Sequence, residues 1–311
     1  MFLCACSSAP APLPDKADAK AEIAAEITAA RSYSLAQKKL LDIIDDQNRL
    51  FERSKEKPPM RKDDFLTHVN RIESMWKEYF VDNPDDVDGL IIYGKFLRTA
   101  GSTSAAYAEF AKADKLDPNI AVVKQQLAVY EAENGLCADA YAHMSAAVKL
   151  EPDNPIYLTQ MGDLIVLCRT QLIFERVFKQ DELDAEMQRC YRRASELRPD
   201  DLVALRRYAQ SFYDVRRADW NLALKLWDEI LSRSGLNLDR QTALANKARV
   251  LIELNRDVEA ERILREQVNL PSLLDARGSL LLEIERARKQ SLPSAENSGT
   301  NAVPSKKNFD Y

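Results

Sequence analysis

Large and small residues alternate along this chain in a pattern that repeats about every 34 residues. Three prolines, Pro84, Pro118 and Pro152, stand 34 residues apart, and Pro199 continues the series after a longer interval. The residue eight positions before each proline is large, and the residue ten positions after it is small. The large residues are Trp76, Phe110, Met144 and Tyr191; the small ones are Gly94, Ala128, Gly162 and Ala209.

This pattern predicts pairs of antiparallel helices. A small residue where two helices cross lets their backbones approach, and a large neighbour fills the adjoining space. Gly101 and Gly135, each seventeen after its proline, suit the end of the first helix of a pair. An Asp or Asn directly follows each proline and offers a side-chain oxygen to cap the next helix; these residues are Asp85, Asn119, Asp153 and Asp200.

In this pattern the chain resembles the tetratricopeptide repeat over about residues 62–290. Three repeats beginning near Val87, Ala121 and Pro155 fit the family pattern well. A fourth near Leu202 and a fifth near Gln241 are less regular, as terminal repeats often are. The resemblance implies an all-α fold, a right-handed superhelical solenoid of helix-turn-helix repeats with an N-terminal helical extension.

The sequence then divides into five parts. Residues 1–6 resemble a partial lipoprotein signal, 7–17 form a Ser/Ala/Pro tether, and 18–61 form the helical extension. The repeat solenoid covers 62–290 and closes with a C-terminal capping helix, and the Ser/Asn/Lys/Pro-rich tail 291–311 is expected to be disordered. Within 18–61 the residues Leu40, Leu41, Ile43, Ile44 and Leu50 predict an apolar face that packs over the first repeat.

The repeat around 155–199 is irregular, because Pro152 and Pro199 are 47 residues apart. Thirteen extra residues split between two helices add nearly two turns to each, which predicts a protruding hairpin. Its added part is apolar and could be a contact surface, or could pack within the hairpin or against Trp220 and Trp227. The apolar residues concerned are Leu172, Ile173, Phe174, Val177 and Phe178.

Three of the five cysteines lie within the repeats. Cys168 and Cys190 are nearly symmetric about the hairpin turn, so they could form a disulfide in an oxidising compartment. The alternative, which we favour, is that both are free and pack as small hydrophobic side chains. Cys137 is expected to be a lone structural cysteine.

The segment Leu3-Cys4-Ala5-Cys6 resembles the end of a bacterial lipoprotein signal, with Cys6 as the residue that receives lipid. Only five residues precede Cys6, whereas such a signal needs roughly 7–15 apolar residues before the cleavage site. Either the true start lies upstream, or the match is chance and this is an ordinary N-terminus. A real signal with Ser7 after the cysteine implies a lipid anchor on the periplasmic face of the bacterial outer membrane.

Composition argues against several other classes of function. The net charge of -5 gives no general attraction for nucleic acid. The chain has two distant histidines, His68 and His143, so we expect no metal site and no other cofactor. It lacks the P-loop, dinucleotide-binding, nucleophile-elbow and zinc-protease motifs, so we expect neither an enzyme nor a small-molecule substrate.

The resemblance places a partner-binding groove on the first helix of each repeat. Its outward residues are expected to hold a protein or peptide; those singled out are Lys95, Arg98, Gln125, Asp163, Arg206, Gln210, Tyr213 and Arg249. Arg206, Gln210 and Asn246 resemble part of the carboxylate clamp of tetratricopeptide co-chaperones. Ala276 and Leu280 stand where the clamp's remaining basic pair is expected.

Two functions follow from these features. The first is a lipid-anchored periplasmic scaffold that supports assembly of an envelope complex without doing chemistry. The second is a cytoplasmic adaptor or regulator that binds a peptide segment of a partner and does not depend on lipid attachment at Cys6.

Overall fold

A computed structural model describes residues 16–235 and 237–291, with side chains from residue 35 to residue 290 except 236. This part of the chain forms α-helices joined by short turns, and two short 3-10 helices at Phe212–Asp214 and Pro271–Leu273. The α-helices are α1 Lys16–Lys55, α2 Lys62–Asp82, α3 Val87–Thr99, α4 Thr103–Leu116, α5 Ala121–Glu133, α6 Cys137–Leu150, α7 Pro155–Phe174, α8 Gln180–Leu197, α9 Leu202–Ser211, α10 Trp220–Arg233, α11 Asn237–Glu253, α12 Asp257–Gln267 and α13 Leu274–Ser291. The predicted all-α fold of helical hairpins is confirmed.

The chain divides into two compact units, residues 1–134 and 135–311. In the first unit α2 packs on α1, and α3 pairs with α4 as one repeat. The core of this unit centres on Trp76, which is fully buried and stacks on Tyr93 with ring centroids 5.3 Å apart. The predicted apolar face of α1 is only partly correct, because Ile43 and Leu50 are buried in this core whereas Leu41 is exposed.

The second unit contains the hairpins α7–α8, α9–α10 and α11–α12, with α6 before them and α13 after them. Trp227 of α10 is fully buried in this unit. At the C-terminal end, Ile284 of α13 enters a cluster with Leu251 and Leu264. Helix α13 therefore covers the apolar end of the last hairpin, which is the position of a capping helix.

Close helix packing explains the alternation of large and small residues. A Cβ atom added to Gly94 of α3 would lie 2.9 Å from the ring of Phe110 in α4. A Cβ atom added to Gly162 of α7 would lie 2.5 Å from the ring of Tyr191 in α8. The small residue of each first helix therefore receives the large residue of the second helix of the same repeat.

The ends of the helices show a shift of one residue from the predicted caps. Asn154 and Asp201, not Asp153 and Asp200, accept hydrogen bonds from the first backbone N–H groups of α7 and α9. The predicted caps Asp85 and Asn119 are also wrong, because the N-cap residues of α3 and α5 are Asp86 and Ile120, and neither makes a side-chain cap hydrogen bond. Gly101, which follows the C-cap residue Ala100 of α3, has φ +94°, as expected for a glycine that ends a helix.

The irregular repeat forms a long hairpin, although its two helices are lengthened unequally. Helix α7 has 20 residues against 13 in α5, and α8 has 18 against 14 in α6. Leu172 is fully buried, and Phe178 packs on Tyr141 of α6 with ring centroids 4.4 Å apart. Phe174 is exposed, so only part of the added apolar surface packs within this unit.

The predictions for Cys137 and Cys168 were wrong, whereas Cys190 is free and buried, as the favoured alternative expected. Cys168 forms a disulfide with Cys137, and Cys190 is a free, buried thiol. Cys137 is the first residue of α6, and its Cα atom lies 5.5 Å from that of Cys168 in α7, within the range that a disulfide can bridge. The prediction failed because it considered only the two helices of one hairpin, whereas the bond joins α7 to α6, the helix before the hairpin.

Long apolar helices of the kind that cross a lipid bilayer are absent from the described residues.

Candidate functional site

The predicted groove residues of the first unit do not converge on a cavity. Lys95 is exposed. Arg98 donates through Nη1 to Oε1 of Gln126 at 2.9 Å, and its Nη2 lies 3.4 Å from Oε1 of Glu133. Gln125 is buried, and its Oε1 accepts a hydrogen bond from Gln126 at 2.6 Å. Arg98 and Gln125 are thus occupied by neighbours within the same unit.

In the second unit, three of the predicted residues line one pocket of about 500 Å³. Asp163 comes from α7, and Arg206 and Gln210 come from α9. We call this cavity the α7–α9 pocket. Its full lining is Pro155, Ile156, Thr159, Gln160, Asp163, Ala194, Arg198, Asp201, Val203, Ala204, Arg206, Arg207 and Gln210.

The pocket combines apolar surface with polar side chains. Ile156 of α7 and Val203 of α9 are both exposed, Val203 to 70%. Water in contact with such side chains is released when an apolar group of a ligand covers them. Clefts of several hundred Å³ with apolar walls and a few polar groups are the usual form of binding sites in proteins.

Asp163 is a charged residue of the pocket wall that contacts both Tyr191 and Arg207. Its Oδ1 accepts a hydrogen bond from the Tyr191 hydroxyl at 2.6 Å and from Nε of Arg207 at 2.9 Å. The Arg207 guanidinium also lies over the Tyr191 ring, 5.5 Å from its centroid. Burial, and then the hydrogen bond to Asp163, raise the pKa of Tyr191 well above its ordinary range. Tyr191 therefore stays neutral and fixes the position of the carboxylate.

Arg206, and the two predicted residues outside the lining, Tyr213 and Arg249, contact neighbouring helices of this unit. Arg206 pairs with Asp239 of α11 at 3.1 Å. The hydroxyl of Tyr213 donates to the backbone carbonyl of Asn246 at 2.9 Å, and the Arg249 guanidinium lies 4.1 Å from the centroid of the Tyr213 ring. Arg249 is an exposed cation that lies over an aromatic ring.

A carboxylate clamp is not formed by these residues. Arg206 is paired with Asp239, and the amide Nδ2 of Asn246 donates to the carbonyl of Thr242 at 2.9 Å. The partial resemblance of Arg206, Gln210 and Asn246 to the co-chaperone clamp therefore does not extend to its geometry.

Sequence reasoning missed the apolar part of the pocket and Arg207. A signal was present, since Ile156 and Val203 each stand four residues after their proline, at the start of a first helix, where a polar residue is usual for an exposed position. The predicted groove residues were chosen among charged and polar side chains and did not include this apolar pair.

Side chains that could hold a metal ion do not gather in the part of the chain for which positions are given: no group of three or more His, Cys, Asp or Glu residues is found there. Cys6, the predicted lipid attachment residue, lies outside the described residues.

Comparison with known proteins gives one curated relative and many solved structures. The chain is 26% identical over 168 residues to the DnaJ homolog subfamily C member 7 homolog of Schizosaccharomyces pombe. That match covers 50% of this chain and 35% of the relative, so the chain spans about a third of its length. No family model matches the chain.

Two solved structures of tetratricopeptide proteins share its fold. YrrB, described as a TPR protein with an unusual peptide-binding site, superposes with a TM-score of 0.52 at 15% identity, over 69% of this chain and 97% of YrrB. The C-terminal part of a TPR repeat-containing protein from Cytophaga hutchinsonii gives a TM-score of 0.51 at 15% identity, over 79% of this chain and 98% of that protein.

Proposed function

Because the chain has the tetratricopeptide-repeat fold, we propose that this protein is a non-enzymatic scaffold that holds a peptide segment of a partner protein in the α7–α9 pocket. The observation that carries the proposal is the pocket itself. It lies between the first helices of two consecutive repeats, and each helix contributes one exposed apolar residue to it, Ile156 from α7 and Val203 from α9. An extended segment can bury apolar side chains against this pair.

The charges of the pocket suit a segment with both polar and apolar groups. Asp163 and Arg207 neutralise each other, as do Arg206 and Asp239, so neither pair gives a strong net field. Backbone groups of an extended peptide can still hydrogen-bond to Gln160 and Gln210. Burial of apolar side chains then supplies most of the affinity, and the polar groups set the register.

A photoreactive amino acid placed at Val203 tests this proposal in cells. We expect it to cross-link a partner protein, whereas the same amino acid at Val258 of α12, which is 79% exposed, should not. Val203→Glu in the purified protein should then abolish binding of the cross-linked partner segment. Binding unaffected by Val203→Glu, or equal cross-linking from both positions, would refute the α7–α9 pocket as the binding site.

The proposed setting is the bacterial envelope, with the protein held at the periplasmic face of the outer membrane by lipid on Cys6 and supporting assembly of an envelope complex. The Cys137–Cys168 disulfide supports this setting, because such bonds persist in oxidising compartments and are rare in the cytosol. The resemblance of Leu3-Cys4-Ala5-Cys6 to a lipoprotein signal agrees with it.

Two measurements test the setting. Alkylation of cells before lysis reports whether Cys137 and Cys168 are oxidised in vivo, and membrane fractionation compares the wild type with Cys6→Ser. We expect an oxidised pair in the wild type and loss of membrane attachment in Cys6→Ser. Reduced cysteines together with unchanged fractionation would instead support a cytoplasmic adaptor that binds a peptide segment.

A further inference from the structure

Helix α7 carries little charge on either face, in contrast to α8, the other helix of its hairpin. Among its 20 residues only Asp163 and Arg169 are charged, whereas eight of the 18 residues of α8 are. A helix that is apolar all round is normally buried on all sides. One face of α7 is indeed buried, through residues such as Leu158, Ile165 and Leu172.

The opposite face of α7 is uncovered along its added turns. It presents Val166, Leu167, Thr170 and Phe174, of which Leu167 is 68% and Phe174 85% exposed. We call these four residues the α7 stripe. They recur at the spacing of neighbours on one side of a helix. A contiguous apolar surface of this kind on a folded protein marks a contact with another molecule.

The α7 stripe adjoins the α7–α9 pocket along α7 but contains none of its lining residues. The pocket uses α7 only as far as Asp163, and the stripe begins three residues later. Arg169 lies between stripe residues in sequence but turns inward, where its Nη2 lies 3.3 Å from Oδ1 of the buried Asp184. The stripe itself therefore carries no charge.

We propose that the α7 stripe binds the same stripe of a second copy of this chain, with the two α7 helices antiparallel. Val166 and Phe174 lie four residues before and after Thr170, about 6 Å along the helix in either direction. A two-fold axis at Thr170 thus places the large Phe174 of each copy on Val166 and Leu167 of the other. The small Thr170 at the centre permits close approach of the two helices.

The charges at the two ends of the stripe favour this arrangement over binding of an unrelated apolar helix. Asp163, which pairs with Arg207, precedes the stripe by three residues, and Glu175 and Arg176 follow it by one and two, so each end carries one acidic and one basic side chain. In an antiparallel pair each Arg176 approaches the Asp163 of the other copy. The Arg176 side chain has no ion pair or hydrogen bond with any described residue, and Asp163 is 44% exposed beside Arg207. The surface is therefore self-complementary, as a two-fold symmetric interface requires.

Four residues from each copy make a small interface, below the roughly 1,200 Å² at which stable complexes begin. We expect a dimer with a dissociation constant of about 1 to 100 µM. The test uses the full chain with Cys4→Ser and Cys6→Ser, so that neither lipid nor N-terminal thiols cause association. Sedimentation velocity at protein concentrations from about 1 to about 100 µM should show a monomer–dimer equilibrium.

Substitutions then locate the interface. Phe174→Glu and, separately, Leu167→Lys should leave the protein monomeric at every concentration, with an unchanged helical signal and melting temperature because both side chains are exposed. Val258→Glu adds the same charge at an exposed apolar position of α12 and should dimerise like the wild type.

A cross-link tests the symmetry. Thr170→Cys should form a disulfide-linked dimer on mild oxidation, whereas Ala185→Cys, at an exposed position of α8 in the same hairpin, should not. A protein that stays monomeric throughout, or a dimer that survives both Phe174→Glu and Leu167→Lys, overturns the proposal. Val203 lies outside the stripe, so cross-linking of a partner at Val203 can be repeated in the monomeric Phe174→Glu variant, which separates pocket binding from dimerisation.

Discussion

The ring of Tyr191 lies against the backbone of Gly162, so that a Cβ atom added at residue 162 would lie 2.5 Å from Cζ of the ring. Tyr191 is almost fully buried, and Asp163 holds its hydroxyl, so the ring has little room to move. We expect Gly162→Ala to lower the free energy of unfolding by about 1–3 kcal/mol through overpacking. Chemical denaturation followed by circular dichroism measures this change.

Gly278 provides the matched control for this prediction. It lies inside α13, and a Cβ atom added there meets nothing within 4 Å. Gly278→Ala should stabilise the protein by up to about 1 kcal/mol, because alanine favours the helix over glycine. If both substitutions stabilise the protein, close packing is not the reason for glycine at position 162.

The disulfide between Cys137 and Cys168 should stabilise the second unit. The two residues are 31 apart in sequence, and closing a loop of that size lowers the entropy of the unfolded chain by an amount worth about 3–4 kcal/mol. A reducing agent should therefore lower the melting temperature of the wild type. The double variant Cys137→Ala/Cys168→Ala should melt at the lower temperature with or without the reducing agent, whereas Cys190→Ala should keep the response of the wild type.

The regular repeats were predictable from sequence because their packing is local. Gly94 and Phe110, or Gly162 and Tyr191, belong to one hairpin, and a fixed spacing from the proline identifies each of them. Helices α3, α5, α7 and α9 begin at the residues expected from that spacing.

Contacts between repeats were not predictable in the same way. The Cys137–Cys168 bond and the Arg206–Asp239 pair depend on how one hairpin rotates against the next, and no single spacing reports this rotation. The groove prediction was only partly correct for the same reason. It identified Asp163, Arg206 and Gln210, yet it also included Gln125, which is buried, and omitted Val203.

A buried charge network connects the long hairpin to the following turn, and its centre is Asp184. The Asp184 carboxylate lies 3.3 Å from Nη2 of Arg169 and accepts a hydrogen bond from the backbone N–H of Arg216 at 3.1 Å. Removal of one partner leaves the other charge buried and unpaired. We expect Asp184→Ala to cost about 3–5 kcal/mol in unfolding free energy.

Asp181 is the control for Asp184, because it contacts the same arginine at the surface. It accepts a hydrogen bond from Nη2 of Arg216 at 2.7 Å, but both side chains are more than half exposed. Exposed ion pairs contribute about 0–1 kcal/mol, so Asp181→Ala should change the stability very little. Equal losses from both substitutions would mean that burial of Asp184 does not determine its contribution.

The free thiol of Cys190 should make the stability of the protein fall at high pH. Burial, and then the negative charge of Glu186, raise the pKa of Cys190 from 9.0 to about 12. Folding therefore favours the protonated thiol, and this contribution is fully present below pH 9 and is lost as the pH rises toward 12. Cys190→Ala should accordingly show a smaller decrease in unfolding free energy between pH 9 and about pH 11 than the wild type. Tyr93, whose pKa burial raises to about 12, titrates in both proteins and cancels in the comparison. Tyr141 cancels only in part, because the charge of Cys190 contributes, after burial and Glu186, to its raised pKa. The same protonated state predicts that iodoacetamide at pH 8 modifies Cys190 only after denaturation, because the thiolate is the reactive form. Rapid alkylation of Cys190 itself in the native protein, read by peptide mapping, or identical pH profiles for the two proteins, would contradict this account of Cys190.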